Sequence, residues 1–291
     1  MPDKYAATWV SYSSISDWQK CPRAYYLKNI YRSPETGNKV QFASPSLSLG
    51  QTVHEVIENL SVLPVEKRFS QSLLQKYDQA WQKVSGKIGG FTDEKTEALF
   101  KKRGETMLQK VIADPGPVAE LAIKIKAEND LPRFWLSPAD EIILCGKVDW
   151  LQYLPDTNQV KVLDFKTGKK REPVDSLQLP IYLLLVTNTQ KRAVVGMSYW
   201  YLELNDRPEE VALPDLIGAE QIILGLAKEI KLARQLNRFR CPNGESGCPI
   251  CRPLEKIVQG QAEFVGTNPT YRQDIFILPS LENTTEDSYI L

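Results

Sequence analysis

The 291-residue sequence predicts an α/β fold. Apolar residues recur at helical spacing through residues 48–114, strand-like alternation takes over after Asp114–Pro117, and helical spacing returns at 175–186 and 219–239. Charged residues make up 25% and hydrophobic ones 42%, the balance of an ordinary globular chain long enough for a sizeable core. We read residues 1–291 as a single domain, with a helical insertion at 64–117.

The elements follow in order. "SYSSISDWQKCPRAYYLKNIY" (11–31) reads as a helix whose start is marked by the capping-box spacing of Ser14 and Asp17. Residues 32–48 read as loop. "SLGQTVHEVIENL" (48–60) is helical, with Val53, Val56, Ile57 and Leu60 on one side. Two amphipathic helices at 65–114 flank "SGKIGGFTDE". Strands are expected at 118–128, 141–154 and 159–168, the last two forming a hairpin about "PDTN". A helix at 175–186, a strand at 192–204 and a long helix at 219–239 precede a cysteine-rich loop. Residues 280–291 read as an exposed tail.

Composition excludes some classes. The formal net charge is zero, so any contact with nucleic acid must come from local patches. The longest apolar run, Leu179–Val186, is too short to cross a bilayer, and "MPDKYAATWVSYSS" does not read as a secretory leader, so a cytoplasmic protein is expected. A helicase is not expected, because the sequence has no G-x-x-x-x-G-K-[ST] stretch.

The chemistry begins at "VLDFKTGKK" (162–170). Asp164 and Lys166 are two apart on an expected strand and so point the same way, in apolar company that makes a lone charge costly. On spacing alone, a surface ion pair is the competing reading. The hairpin brings Asp149 of "GKVDWL" towards Asp164, and two carboxylates in one half-buried site call for a proton or a divalent cation between them. Their hard oxygen ligands suit Mg²⁺ or Mn²⁺. A neighbouring lysine can orient or help deprotonate water and balance developing phosphate charge, an apparatus for phosphodiester hydrolysis.

Three of the five cysteines crowd into "CPNGESGCPIC", as Cys241, Cys248 and Cys251. A closed thiolate site needs a fourth, from Cys21 or Cys145. Cys145 sits on an expected core strand, the address of an inert buried thiol. His54 is the single histidine; "HEVIE" is not the H-E-x-x-H zinc signature, because position 58 is Glu.

Taken in order, these pieces resemble the PD-(D/E)XK nuclease superfamily, in particular its RecB-like branch, which includes the iron–sulfur exonucleases of CRISPR adaptation and AddB-type nuclease domains. "SYSSISDWQKCPRAYYL" resembles the family's opening helix and Cys-Pro. "LGQTVHEVIE" resembles its Gly-x-x-x-His helix, "GKVDWL" its Gly-x-x-Asp strand, "VLDFKTGK" its (D/E)-x-K strand and "QLPIY" its Gln-x-x-x-Tyr helix. The proline that usually precedes the first Asp is absent, Val148 standing there, as often in the RecB-like branch.

The resemblance implies a restriction-endonuclease-like core, a central mixed sheet flanked by helices, with a cysteine-bound cluster joining N- and C-terminal segments. It implies that His54, Asp149 and Asp164 ligate a catalytic Mn²⁺ or Mg²⁺, that Lys166 is the catalytic lysine, and that Gln178 and Tyr182 lie beside the DNA and the catalytic centre. It selects Cys21, with Cys241, Cys248 and Cys251, as ligands of a structural [4Fe–4S] cluster; Zn²⁺ is the alternative. The implied activity is a metal-dependent exonuclease on single-stranded or frayed DNA ends, in repair or CRISPR-type processing, any unwinding coming from a partner helicase. The rival is a non-catalytic DNA-binding scaffold that keeps fold and cluster. Lys169, Lys170 and Arg171, after the catalytic strand, and Lys228, Lys231, Arg234, Arg238 and Arg240, on or after the long helix, are candidate phosphate contacts. The aromatics of "CPRAYY" and "MSYWYLEL" are candidates for base stacking.

Overall fold

The computed structural model describes residues 3–127 and 131–278. In chain order the elements are β1 (Thr8–Val10), α1 (Tyr12–Lys20), α2 (Pro22–Tyr25), β2 (Lys39–Phe42), α3 (Pro45–Glu58), α4 (Leu73–Trp81), α5 (Glu94–Ala113), β3 (Arg133–Ser137), β4 (Ile142–Cys145), β5 (Trp150–Leu154), β6 (Gln159–Lys166), α6 (Gln178–Thr189), β7 (Val194–Tyr201), β8 (Glu209–Val211), α7 (Leu216–Gln235), α8 (Cys251–Val258), β9 (Glu263–Asn268) and β10 (Gln273–Ile277). This is a mixed α/β fold consistent with a restriction-endonuclease-like core. No helix among the described residues is long and apolar enough to cross a membrane. The chain divides into two compact units.

One unit comprises the residues up to Tyr12, Leu49–Gln82 and Lys101–Glu229. Its larger sheet has the order β5-β6-β7-β8. β5 and β6 form the expected antiparallel hairpin, with Trp150 opposite Leu163 and Leu154 opposite Gln159. β6 and β7 run parallel, connected through α6, because parallel neighbours need a long crossover. α6 is buried along most of its length, Leu179, Ile181, Leu184, Leu185 and Val186 among its buried residues, so the segment is apolar nearly all round. Under the sheet, Phe165 packs edge-on against Trp150 at a 6.4 Å centroid distance and tilted against Trp200 at 6.0 Å. A smaller sheet orders β1-β4-β3, with β1 parallel to β4.

The other unit comprises Ser13–Ser48, Lys83–Phe100 and the residues from Ile230 onward. Its sheet orders β2-β10-β9, β2 lying parallel to β10. Its core gathers Cys21, Ala24, Leu27, Val40, Cys241, Cys248, Cys251, Leu254 and Ile257, so sulfur and aliphatic carbon share one interior.

Several expectations are corrected. The helix at 11–31 starts at Tyr12, so Ser14 lies inside it, buried, rather than capping it. It breaks at Cys21, which is extended (φ −168°) because a following proline disfavours helical geometry, and Pro22 then opens α2. Residues 32–48, read as loop, contain β2, whose partner strand lies far along the chain at β10. Of the strand expected at 118–128, the described residues form a 3₁₀ turn (Gly116–Ala119) and a segment with a single bridge, Ala122 to Gln152; residue 128 lies outside the described residues. Residues 141–154 form two strands in different sheets, interrupted at Gly146–Asp149. The tail at 280–291 lies outside the described residues.

Candidate functional site

The first unit carries the acidic centre. Continuing the β5–β6 register one step past Trp150–Leu163 places Asp149 opposite Asp164, so their side chains leave the same side of the hairpin. Asp149 is held by the Phe165 backbone N–H, which donates to its Oδ2 at 3.0 Å, and by the Tyr182 hydroxyl, which donates to its Oδ1 at 3.1 Å. Asp164 is wholly buried. Its Oδ1 accepts from Gln178 Nε2 at 2.6 Å. Its Oδ2 accepts no hydrogen bond among the described residues and faces the Lys166 ammonium, 3.0 Å away, as an ion pair.

Gln178 is the hub. Its amide nitrogen donates to Asp164 and, at 3.3 Å, to the Tyr182 hydroxyl one turn along α6, while its carbonyl oxygen accepts from Lys166. A carboxamide offers donors on one atom and an acceptor on the other, so it can bridge an acid and an ammonium. The sequence-named residues Asp149, Asp164, Lys166, Gln178 and Tyr182 are thus joined in one network.

His54 approaches from α3. Its Nδ1 lies 3.4 Å from Asp149 Oδ2 and 3.0 Å from Glu58 Oε1. Gly50, one turn earlier, lets the helix come close: a Cβ there would stand 3.1 Å from Thr167 Oγ1, beside the end of β6. His54, Glu58 and Asp149 each offer a ligand atom, all within 4.8 Å of one another. Glu58 is the residue that sequence reasoning missed. The signal was present in its i, i+4 spacing from His54. This donor set, one imidazole and carboxylate oxygens beside an orphaned buried carboxylate oxygen, fits a divalent cation of the Mn²⁺ or Mg²⁺ kind.

The electrostatics follow from burial and from the crowding of like charge. Burial first, and Asp149 second, push the Asp164 carboxyl upward. Burial likewise raises Asp149. Burial opposes charge on His54, but Asp149 and Glu58 outweigh it and raise the imidazole to about 9. The same contest on Lys166, burial against Asp164 and Glu172, ends with its pKa raised, so the side chain is an ammonium and a charge donor rather than a base. Burial beside two carboxylates raises Tyr182 well above a free phenol, keeping its proton for Asp149.

The second unit carries the thiols. Cys21, Cys241, Cys248 and Cys251 are all buried, with their sulfurs within 4.8 Å of one another. Cys251 Sγ accepts from the Cys248 backbone N–H at 3.2 Å, and the two sulfurs are 3.7 Å apart. Gly247 turns the loop at φ +73°, where a Cβ would stand 3.1 Å from the Cys251 sulfur; only glycine suits both demands. Arg23 ties the Cys-Pro turn to the loop, donating to the carbonyls of Gly244 and Glu245, each at 3.1 Å, and to Glu255 at 2.9 Å. Four converging sulfurs in a shaped interior fit a thiolate-bound metal or cluster. Burial raises Cys21 to about 12 and Cys251 to about 11, whereas at Cys248 the backbone N–H groups of Cys251 and Ile250 together with the thiols of Cys21 and Cys251 outweigh burial and lower it to about 7. Cys145, by contrast, ends β4 with its Sγ 3.5 Å from the Val10 carbonyl.

The basic candidates are scattered. Lys169 and Lys170 are exposed in the loop after β6. Arg171 pairs with Glu209 and lies over the Tyr201 ring. Lys228 pairs with Asp140 at 2.8 Å. Lys231 is half-buried, and Arg234 is exposed and hydrogen-bonded to Tyr25. Tyr25 and Tyr26 pack on Phe239, whereas Tyr199 and Trp200 are buried in the sheet.

The family model for the PD-(D/E)XK nuclease superfamily matches residues 9–253. Comparison with curated proteins gave no match.

Proposed function

The chain belongs to the PD-(D/E)XK nuclease superfamily, and on that premise we propose that it is a metal-dependent deoxyribonuclease acting as an exonuclease on single-stranded or frayed DNA ends. One observation carries the reading: Asp149 and Asp164 face each other across the hairpin, with the Lys166 ammonium 3.0 Å from Asp164 and His54 3.4 Å from Asp149. His54, Glu58, Asp149 and Asp164 are the residues that would hold the cation. Bound there, Mn²⁺ or Mg²⁺ supplies Lewis-acid polarisation of a phosphate oxygen and lowers the pKa of water.

The chain's own groups supply the rest. The Lys166 ammonium stabilises charge building on the phosphate. Gln178 fixes both Lys166 and Asp164, and Tyr182 orients Asp149 by donating its hydroxyl proton. Lys169 and Lys170, exposed just past the catalytic strand, are the proposed phosphate contacts in this unit, and Lys231 and Arg234 those in the other. We place the activity in the cytoplasm, in repair or CRISPR-type processing with a helicase or adaptation partner.

Digestion of end-labelled single-stranded DNA tests the reading. Mn²⁺-dependent shortening by the wild type, lost in Lys166→Ala, supports it; intact DNA with both proteins hands the function to a non-catalytic DNA-binding scaffold. Substrates blocked at the 5′ or 3′ end report the exonuclease mode.

For the thiol site we propose a structural [4Fe–4S] cluster, on the resemblance of the Cys-Pro and C-terminal cysteines to the iron–sulfur branch. A specific observation favours a second reading. Around one tetrahedral ion with Zn–S bonds of about 2.3 Å, thiolates stand about 3.8 Å apart, close to the 3.7 Å between Cys248 and Cys251. A cube of irons holds its cysteines wider. Anaerobic purification decides: a brown protein with iron supports the cluster, and a colourless one with stoichiometric zinc supports the single ion.

A further inference from the structure

Lys166 has two carboxylate partners, and only one belongs to the acidic pair of the hairpin. Its ammonium stands 3.0 Å from Asp164 Oδ2 and 3.0 Å from Glu172 Oε1, an ion pair with each, and it donates to Gln178 Oε1. Glu172 lies in the loop between β6 and α6, yet its side chain is only 6% exposed. It is anchored without help from Lys166: its Oε2 accepts from the Tyr12 hydroxyl at 3.4 Å, and its backbone N–H donates to the Tyr201 hydroxyl at 3.1 Å.

A buried carboxylate at an ordinary surface loop is costly unless it serves a charge. Among the described residues Asp164 Oδ2 is buried without a hydrogen bond and is ion-paired with the ammonium, so Lys166 stands where a cation shared by the acidic pair would need that oxygen. Two cations competing for one oxygen repel. The conflict is relieved if the ammonium keeps a second, fixed anion on the side away from the incoming ion.

We infer that Glu172 is a positioning residue for Lys166: as a second carboxylate partner, it holds the ammonium when Asp164 Oδ2 turns to a divalent cation. This rests on the reading of the His54–Asp149–Asp164 centre as a divalent-cation site. The carboxylate is not among that site's ligands. It acts through the lysine.

Calorimetric titration of the full chain with Mn²⁺ alone, without DNA, tests it in a double-mutant cycle. Glu172→Gln keeps the shape and the Tyr12 contact but removes the charge, and is expected to weaken Mn²⁺ binding about tenfold. In a Lys166→Met background, the same change is expected to alter affinity less than about twofold, because the ammonium it serves is gone. Equal weakening in both backgrounds makes Glu172 a mere source of negative field and overturns the proposal, as does unchanged affinity in Glu172→Gln. A wild type that takes up no Mn²⁺ sinks the cation site itself and this role with it. Should Glu172→Gln fail to fold, a crystal structure of the wild type with Mn²⁺ decides instead: Lys166 on Glu172 and off Asp164 Oδ2 supports the inference, and Lys166 remaining on Asp164 overturns it.

Discussion

His54 and Glu58 stand one helical turn apart on α3, with Nδ1 and Oε1 3.0 Å from each other, and both face Asp149. A glutamate at this position turns a histidine–aspartate contact into a three-donor group. Because each donor removed from such a group weakens cation binding, Glu58→Gln is expected to lower Mn²⁺ affinity by about 10–100-fold while leaving the melting temperature nearly unchanged. Calorimetry with Mn²⁺ measures it. Undiminished affinity would show that Glu58 serves only to orient the imidazole.

Lys166 is a cation held by Asp164, Glu172 and Gln178, not a free base. Removing a preorganised charge from a forming oxyanion costs about 10²–10³ in turnover. Lys166→Ala is expected to lose at least that much nuclease activity, and Lys166→Arg to recover little, because the planar guanidinium does not fit a space shaped around a compact ammonium by two carboxylates and an amide oxygen. Single-turnover cleavage of labelled DNA is the measurement. Full activity in Lys166→Ala would remove the lysine from the chemistry.

The cysteine loop depends on a glycine. At Gly247, φ is +73° and a Cβ would crowd the Cys251 sulfur. Gly247→Ala is expected to cost about 1–3 kcal/mol through backbone strain and to lower the bound metal or iron per chain. Cys251→Ser should lose the bound metal altogether. Metal analysis alongside thermal melts reads both outcomes; a stoichiometrically loaded Gly247→Ala of wild-type stability contradicts the packing described.

Acid should weaken the second unit through Asp274. Burial would raise this carboxyl, but hydrogen bonds from Thr36, Asn38 and Thr267 outweigh burial and hold it below the ordinary aspartate range. A depressed carboxyl contributes stability above its unfolded pKa, about 3.9, and loses it as pH falls through the lower folded value. Asp274→Asn is therefore expected to melt lower than the wild type at pH 7, with the gap closing towards pH 3. A gap independent of pH would mean that the hydrogen bonds, not the charge, matter there.

Much of the site was legible because its signals are local. Asp164 and Lys166 share a face by the two-residue period of a strand, and Gln178 and Tyr182 share one by the turn of a helix. The hairpin about "PDTN" follows from turn residues between apolar runs, and it alone brings Asp149 opposite Asp164. Elements whose partners are remote were missed. β2 pairs with β10, and β1 with β4, across most of the chain or half of it, and three- or four-residue strands carry too little periodicity to announce themselves. The run at 118–127 shows the reverse error: it meets β5 through two backbone hydrogen bonds, Ile123 to Leu151 and Tyr153 to Leu121, which make one bridge and not a strand.

The order of the family's segments, the acid–acid–lysine hairpin and the clustered C-terminal cysteines are properties of the sequence itself, because each depends on residues close in the chain or on fixed chemistry. Only the tertiary structure decided that Glu58 joins His54 and Asp149 and that Glu172 shares Lys166 with Asp164, and it brought Cys21, which the resemblance had selected, to Cys241, Cys248 and Cys251. Those meetings bring distant side chains into one low-dielectric interior, where an unmatched charge is costly; which groups match it depends on packing, and packing is not written in any short stretch of chain.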